Sequence, residues 1–267
     1  MQRKNVIIAG AALLVLILVI ILSSGRKSKE IVPATDRSGI LKAAEEAYAE
    51  GNFLTAKDAY EHALTNITDP SRIEGARKKL EQVNMAILFS SVMDECSSEY
   101  VVQPNDNLGK IAKKHNTTVG LLKRSNRLSS DIIRPGQRLK VSACPFSLAA
   151  DKSQNLLFLK RQGEIFKTYV VSTGRDNCTP VGEFRIVTKL VRPTWFKTGA
   201  VIPPDSEENI LGTRWMGFNE DGYGIHGTTE PEKLGQQVTS GCIRMRNDEV
   251  EELYDIVPMG TKITIVD

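Results

Sequence analysis

Ile225-His226-Gly227-Thr228-Thr229 and Thr239-Ser240-Gly241-Cys242-Ile243-Arg244-Met245 are the stretch from which the chain is read. Together they hold one of three histidines and one of four cysteines, placed 16 positions apart (242 less 226). A cysteine becomes a strong nucleophile when an imidazole takes its proton and charge or backbone N–H groups stabilise the thiolate. His226 supplies a base and Cys242 a nucleophile. Gly241 lets a substrate approach the backbone with no Cβ in the way, and Arg244 adds a fixed positive charge. In a strand, Cys242 and Arg244 point to one face. Isolated cysteines and histidines are more often packing residues, so these residue types alone leave catalysis and packing both open.

The surroundings are strand-like. Leu156–Leu159, Ile165–Val171, Phe184–Val187 and Ile263–Val266 are short β-rich runs punctuated by Gly163 and by Thr179-Pro180-Val181-Gly182, with a helix expected over Asp248–Ile256. Residues 146–267 therefore read as a mostly-β domain. Further segments follow in order: Ser172-Thr173-Gly174, Pro193-Thr194-Trp195, Val201-Ile202-Pro203-Pro204, Asn209-Ile210-Leu211-Gly212-Thr213-Arg214-Trp215 and Val257-Pro258-Met259-Gly260-Thr261. With the two opening segments, this succession resembles the YkuD-like catalytic domain of the L,D-transpeptidases. Many members have His immediately before the Gly-Cys, where this chain has Ser240.

The resemblance implies a mechanism. Cys242 attacks the carbonyl between the L-centre of a diamino acid and a terminal D-alanine, passing its proton to His226. The Gly227 carbonyl orients the imidazole in place of a triad acid, and the amides of Gly241 and Cys242 are the expected oxyanion donors. Thr239, Ser240, Arg214 and Trp215 are the expected substrate-binding residues. Arg244 has two readings, a grip on a substrate carboxylate or a structural ion pair. Trp195 and Trp215 line the groove or belong to the core. Cys178 reads as a buried or free thiol, since a bond to Cys242 would abolish nucleophilicity. No cofactor and no metal are expected, because the cysteines lack metal-ligand spacing.

Upstream, Tyr100 to Val141 runs strand, helix, helix, strand. It resembles a LysM domain in its tyrosine-bearing first strand, Asp106-x-Leu108 with Ile111-Ala112, Asn126 and Pro135-Gly136-Gln137. The module, bounded at 98–142, is thereby expected to bind N-acetylglucosamine-containing glycan, through Asp106, Asn107, Leu108, Asn126 and Pro135. Asn105 stands where the family commonly has Gly, and Asn tolerates positive φ better than most residues. Cys96 and Cys144 flank the two terminal strands. Antiparallel pairing of those strands would bring the cysteines within disulfide reach.

Residues 38–94 have helical periodicity. Leu41, Ala44, Ala47 and Tyr48 form one apolar face, Phe53, Ala56, Tyr60, Ala63 and Leu64 a second, with Gly51-Asn52 between them. The small residues and the turn glycine resemble one tetratricopeptide unit, and another helix is expected over about Ser71–Phe89. A plain helical spacer and a partner-binding groove both fit, and no protein partner is named by the sequence.

Residues 28–37 are a polar linker, and residues 1–27 hold 17 consecutive apolar or small residues, Val6 to Leu22. As a helix this run is about 26 Å long at ~1.5 Å per residue, close to the ~30 Å hydrocarbon core. It exceeds the usual ~7–15-residue signal-peptide core and no A-x-A-like site follows, so an uncleaved single-pass anchor is expected over a cleaved leader. Basic residues flank both ends, leaving orientation to the downstream domains. A net charge of +3, from 35 basic and 32 acidic residues, argues against nucleic acid as a partner.

The expectation is a multidomain protein of a bacterial inner or cytoplasmic membrane, with its catalytic domain in the periplasm or cell-wall space. It is expected to form peptidoglycan cross-links. An L,D-carboxypeptidase on the same bond and a LysM-mediated scaffold with an inactive catalytic domain are the alternatives.

Overall fold

The computed structural model describes residues 37–267, with side chains from residue 39. The expected anchor and linker lie outside the described residues, except for the last linker position. Among the described residues no helix is long and apolar enough to cross a membrane.

Three helices open the described chain: α1 (Arg37–Ala49), α2 (Phe53–Asn66) and α3 (Pro70–Leu88). Gly51 makes the first turn at φ +79°, a conformation that favours glycine. Ala44, Ala56 and Ala63 are buried where α1 and α2 meet, which allows close backbone approach. Pro70 starts α3 instead of ending α2. Its missing N–H costs nothing at N1, and Asp69 caps the helix by accepting from the Arg72 amide at 3.0 Å.

The helices are not a free-standing spacer. Along α3, Val83 and Ile87 pack into the helical core, whereas Met85 and Leu88 belong to the core of the C-terminal domain. At ~1.5–3 kcal/mol for each large apolar side chain buried, separating the two would be costly.

The next module is β1 (Ser97–Val101), α4 (Leu108–Lys114), α5 (Val119–Ser125) and β2 (Arg138–Ser142). Its strands pair antiparallel from Ser97↔Ser142 to Val101↔Arg138. Just beyond them Cys96 and Cys144 form a disulfide with their Cα atoms 5.1 Å apart. Asn105 takes φ 68°, as the turn before α4 requires. The module is clamped on two sides. Lys140, only 7% exposed, donates to the carbonyls of Ile87, Ser90 and Val92 at 2.6, 3.0 and 2.5 Å. On the other side the Thr118 hydroxyl donates to the Asp255 carbonyl, and Arg124 lies 3.5 Å from the Asp255 carboxylate.

The C-terminal domain contains β3 (Phe146–Asp151), β4 (Leu156–Arg161), β5 (Glu164–Val170), β6 (Thr173–Gly174), β7 (Gly182–Val191), β8 (Trp195–Lys197) and β9 (Ala200–Ile202). It continues with β10 (Arg214–Phe218), β11 (Gly224–His226), β12 (Gln237–Thr239), β13 (Ile243–Arg244), α6 (Asn247–Ile256) and β14 (Lys262–Val266). Eight strands make one sheet in the order β13-β11-β10-β7-β14-β3-β4-β5. Helix α6 buries Val250, Leu253 and Ile256 in its core. The parallel pair β11–β13 aligns His226 with Arg244 and sits at the sheet edge. This register brings the two halves of the opening stretch together.

Candidate active site

His226 ends β11 and is 3% exposed. Its Nδ1 lies 2.7 Å from the Gly227 carbonyl oxygen. A carbonyl only accepts, so Nδ1 carries the proton and Nε2 is left with a free lone pair. Burial pushes the imidazole down to about 4, with the Gly227 carbonyl pulling it up and the Arg244 charge pushing it further down. Trp215 stacks on the ring, centroids 6.0 Å apart and planes 22° apart. The side chain is thus a neutral imidazole of defined tautomer.

Gly227 is held from behind. The Asn247 amide oxygen accepts from the Thr213 and Thr228 amides at 3.2 and 3.0 Å, and its NH2 donates to the Thr228 carbonyl at 2.8 Å. A Cβ on Gly227 would stand 2.1 Å from that oxygen, so only glycine fits beside the strut. Asn247 opens α6 and fixes the loop that orients His226.

Cys242 is half-buried, and its thiol donates to the Gly222 carbonyl at 3.3 Å. Burial pushes the thiol up to about 11, against the pull of the Gly224 amide and the Arg244 charge. The Cys242 thiol and the His226 imidazole are both held neutral. The preceding turn is tied by Thr239, whose hydroxyl donates to the Cys242 carbonyl at 2.6 Å and accepts from the Gly241 amide at 3.2 Å. This corrects the expectation for Gly241: its N–H is turned into its own loop, whereas the Cys242 amide precedes the first residue of β13. Gly241 itself takes φ +119°, and a Cβ there would meet the Tyr223 ring at 2.5 Å.

Arg244 is a structural pair. Its Nη1 lies 2.9 Å from the Glu230 carboxylate, and its backbone bridges Ser172 in both directions at 2.8 and 2.9 Å. Its side chain also lines a cleft of about 480 Å³ with His226, Thr239, Ser240 and Cys242. A second, more apolar cleft of about 290 Å³ reaches Cys242 and Gly222 from the side of Trp195, Phe196 and Trp215.

Arg214 departs from the expected set. It faces α6, with its guanidinium 5.5 Å from the Tyr254 ring and 3.6 Å from Glu251, and lines neither cleft. Alternation along β10 puts it on the face opposite its neighbour Trp215. Of the expected glycan-binding residues, Leu108 needs a similar correction, and three others also have structural roles. Leu108 is 2% exposed and belongs to the module core. Asp106 accepts from the Tyr100 hydroxyl and the Gln103 amide, Asn107 caps α4, and Asn126 bonds the Lys140 backbone in both directions. These four hold the module together, and Pro135 is exposed on its turn. Cys178 is a free, exposed thiol. Glu230, Asn247, Gly222 and Tyr223 escaped sequence reading, since each acts through partners distant in the chain. Among the described residues no group of three or more His, Cys, Asp or Glu could hold a metal ion.

His226 and Cys242 line one cleft beside an edge strand of a mostly-β sheet, an arrangement suited to cysteine-dependent acyl transfer. The pattern of the L,D-transpeptidase catalytic domain matches residues 145–265, and that of the LysM domain matches residues 100–142. A putative L,D-transpeptidase YqjB of Bacillus subtilis is 41% identical over 123 residues, covering 44% of this chain and 69% of the relative. The putative L,D-transpeptidase YkuD of Bacillus licheniformis is 33% identical over 175 residues, covering 62% of this chain and 97% of the relative. Among solved structures, an L,D-transpeptidase from Mycobacterium tuberculosis superposes with a TM-score of 0.41 at 15% identity, over 51% of this chain and 75% of that one. The chain belongs to the L,D-transpeptidase family, with a YkuD-type catalytic domain preceded by a LysM domain.

Proposed function

We propose that the chain cross-links peptidoglycan by joining diamino-acid residues of stem peptides through a Cys242 thioester. The observation that carries this reading is the Nδ1–H bond to Gly227, which leaves Nε2 as the base at a cleft shared with Cys242. As Sγ attacks the carbonyl, Nε2 takes the thiol proton and the carbonyl oxygen becomes an oxyanion. The Cys242 amide would donate to it, a contact worth about 3 kcal/mol in a water-excluded site. The imidazolium then protonates the departing D-alanine amine, leaving a thioester. An amine of a second stem peptide attacks the thioester, gives its proton to Nε2, and the thiol is restored. Two clefts meet at Cys242, and in this reading one would receive the acyl donor and the other the acceptor peptide.

The LysM domain would hold the glycan strand. Its clamps to α3 and to Asp255 fix its distance from Cys242, so the helices act as a brace more than a reach-setting spacer. The α1–α2 pair is the tetratricopeptide-like part of this reading. Residues 6–22 would anchor the chain in the cytoplasmic membrane with the bulk outside, where the polymer lies.

The test is to incubate the full chain with disaccharide tetrapeptides and weigh the products, with Cys242→Ala as control. Cross-linked dimers released with D-alanine are expected. Loss of D-alanine alone supports the carboxypeptidase, and no change in either protein supports the scaffold.

A further inference from the structure

Three cations line the polar cleft beside Cys242: Arg175, Lys233 and Arg244. Two of them are already matched. Glu230 takes Arg244 at 2.9 Å and also pairs with Lys233. Against these three cations Glu230 is the one carboxylate lining the cleft, which leaves it two positive charges in excess (three less one). Low-dielectric walls lined by one sign of charge concentrate ligands of the opposite sign.

Arg175 differs from the other two. No carboxylate pairs with its guanidinium among the described residues, and it is exposed. Its backbone is held firmly. Asp176 and Asn177 turn the chain with φ of 50° and 61°. Beneath them Lys152, 3% exposed, donates to the Asn177 and Thr179 carbonyls at 3.2 and 2.9 Å. The Asn177 side chain donates to the C-terminal Asp267 carboxylate at 3.0 Å, and the Thr179 hydroxyl accepts from the Gly174 amide at 2.7 Å. A Cβ on Gly174 would sit 2.6 Å from the Cys178 sulfur, so the residue before Arg175 is packed closely against the turn. A rigid turn thus presents a guanidinium without an acid to the cleft that contains the nucleophile. A guanidinium fork matches a carboxylate in two parallel hydrogen bonds.

We propose that Arg175 is a specificity-determining residue, binding a free carboxylate of the peptide that reaches Cys242 through the polar cleft. The enzyme thereby prefers stem peptides carrying that carboxylate over the same peptides with it amidated. This rests on the acyl-transfer reading above.

The test uses the full chain with a disaccharide tetrapeptide and with derivatives amidated at one carboxylate at a time. For the wild type, amidation at one position raises KM about tenfold with kcat little changed, the loss of one charge-assisted contact. Arg175→Gln shows the raised KM with the free peptide already, and the free-to-amidated ratio collapses towards one. Arg175→Lys keeps part of the ratio, because the charge remains without the fork. The wild-type ratio also shrinks with added salt, since the cation is exposed. An unchanged thermal midpoint shows that the variants are folded, and the salt series serves if they are not. A wild type indifferent to amidation, or a Gln variant that keeps the ratio, overturns the proposal while leaving acyl transfer intact. A wild type that turns over none of the peptides overturns both.

Discussion

The resting protonation state of the catalytic pair makes the sharpest prediction. Burial pushes Cys242 up to about 11 and His226 down to about 4. Moving the proton from thiol to imidazole before substrate arrives therefore costs on the order of 10 kcal/mol at ~1.36 kcal/mol for each pKa unit between them. Attraction between two charges ~4 Å apart at an effective dielectric of ~20 returns about 4 kcal/mol. The neutral pair therefore wins by several kcal/mol, and proton transfer is coupled to attack on the carbonyl. The assay is alkylation of the full chain by iodoacetamide between pH 5 and 9 (about neutral ± 2 units), with peptide mass mapping to separate Cys242 from the exposed Cys178. The Cys242 rate is expected to climb steadily with pH and reach no plateau in this range. His226→Ala should abolish turnover yet preserve that climb, because the imidazole does not hold a preformed thiolate. A plateau from mildly acidic pH, lost in His226→Ala, would refute the reasoning by showing a standing thiolate–imidazolium pair.

Two further outcomes follow from the supports around the site. Asn247→Ala removes three hydrogen bonds behind Gly227. At about 1 kcal/mol each, urea unfolding should show a loss of about 3 kcal/mol, and the loosened carbonyl should lower kcat about a hundredfold with little change in KM; unaltered kcat in the destabilised variant would sink the positioning role. Replacing Cys96 and Cys144 by alanine opens a loop with a sequence separation of 48. Chain entropy sets that cost at about 4 kcal/mol, read as a lower urea midpoint, and an unmoved midpoint would show that the clamps to α3 and α6 already constrain the module.

Much of this protein is written in local pattern. The β-rich run from residue 146, the strand–helix–helix–strand module and the paired helices follow from side-chain periodicity and turn residues, which act over a few positions. His226, Cys242 and the Gly227 carbonyl were legible because chemistry-bearing residue types stand in a distinctive order. Other features depend on contacts between segments far apart in sequence. Arg214 and Trp215 are neighbours in the chain, yet the pleat of β10 sends one to α6 and the other to His226. Leu108 and Asn126 match the LysM pattern, but tertiary contacts commit Leu108 to the module core and Asn126 to the Lys140 backbone.

Sequence alone thus determined the order of the modules and marked Cys242 and His226 as the candidate nucleophile and base. Tertiary structure decided that the Arg244 charge is matched by Glu230, that Asn247 holds the loop orienting the imidazole, and that α3 and Lys140 lock the modules together. It also decided that Arg175 lines the cleft with no ion pair to its guanidinium among the described residues. The physical reason is range. Propensity and patterning act between near neighbours, whereas burial, charge pairing and hydrogen-bond satisfaction depend on which distant groups the sheet register brings into contact.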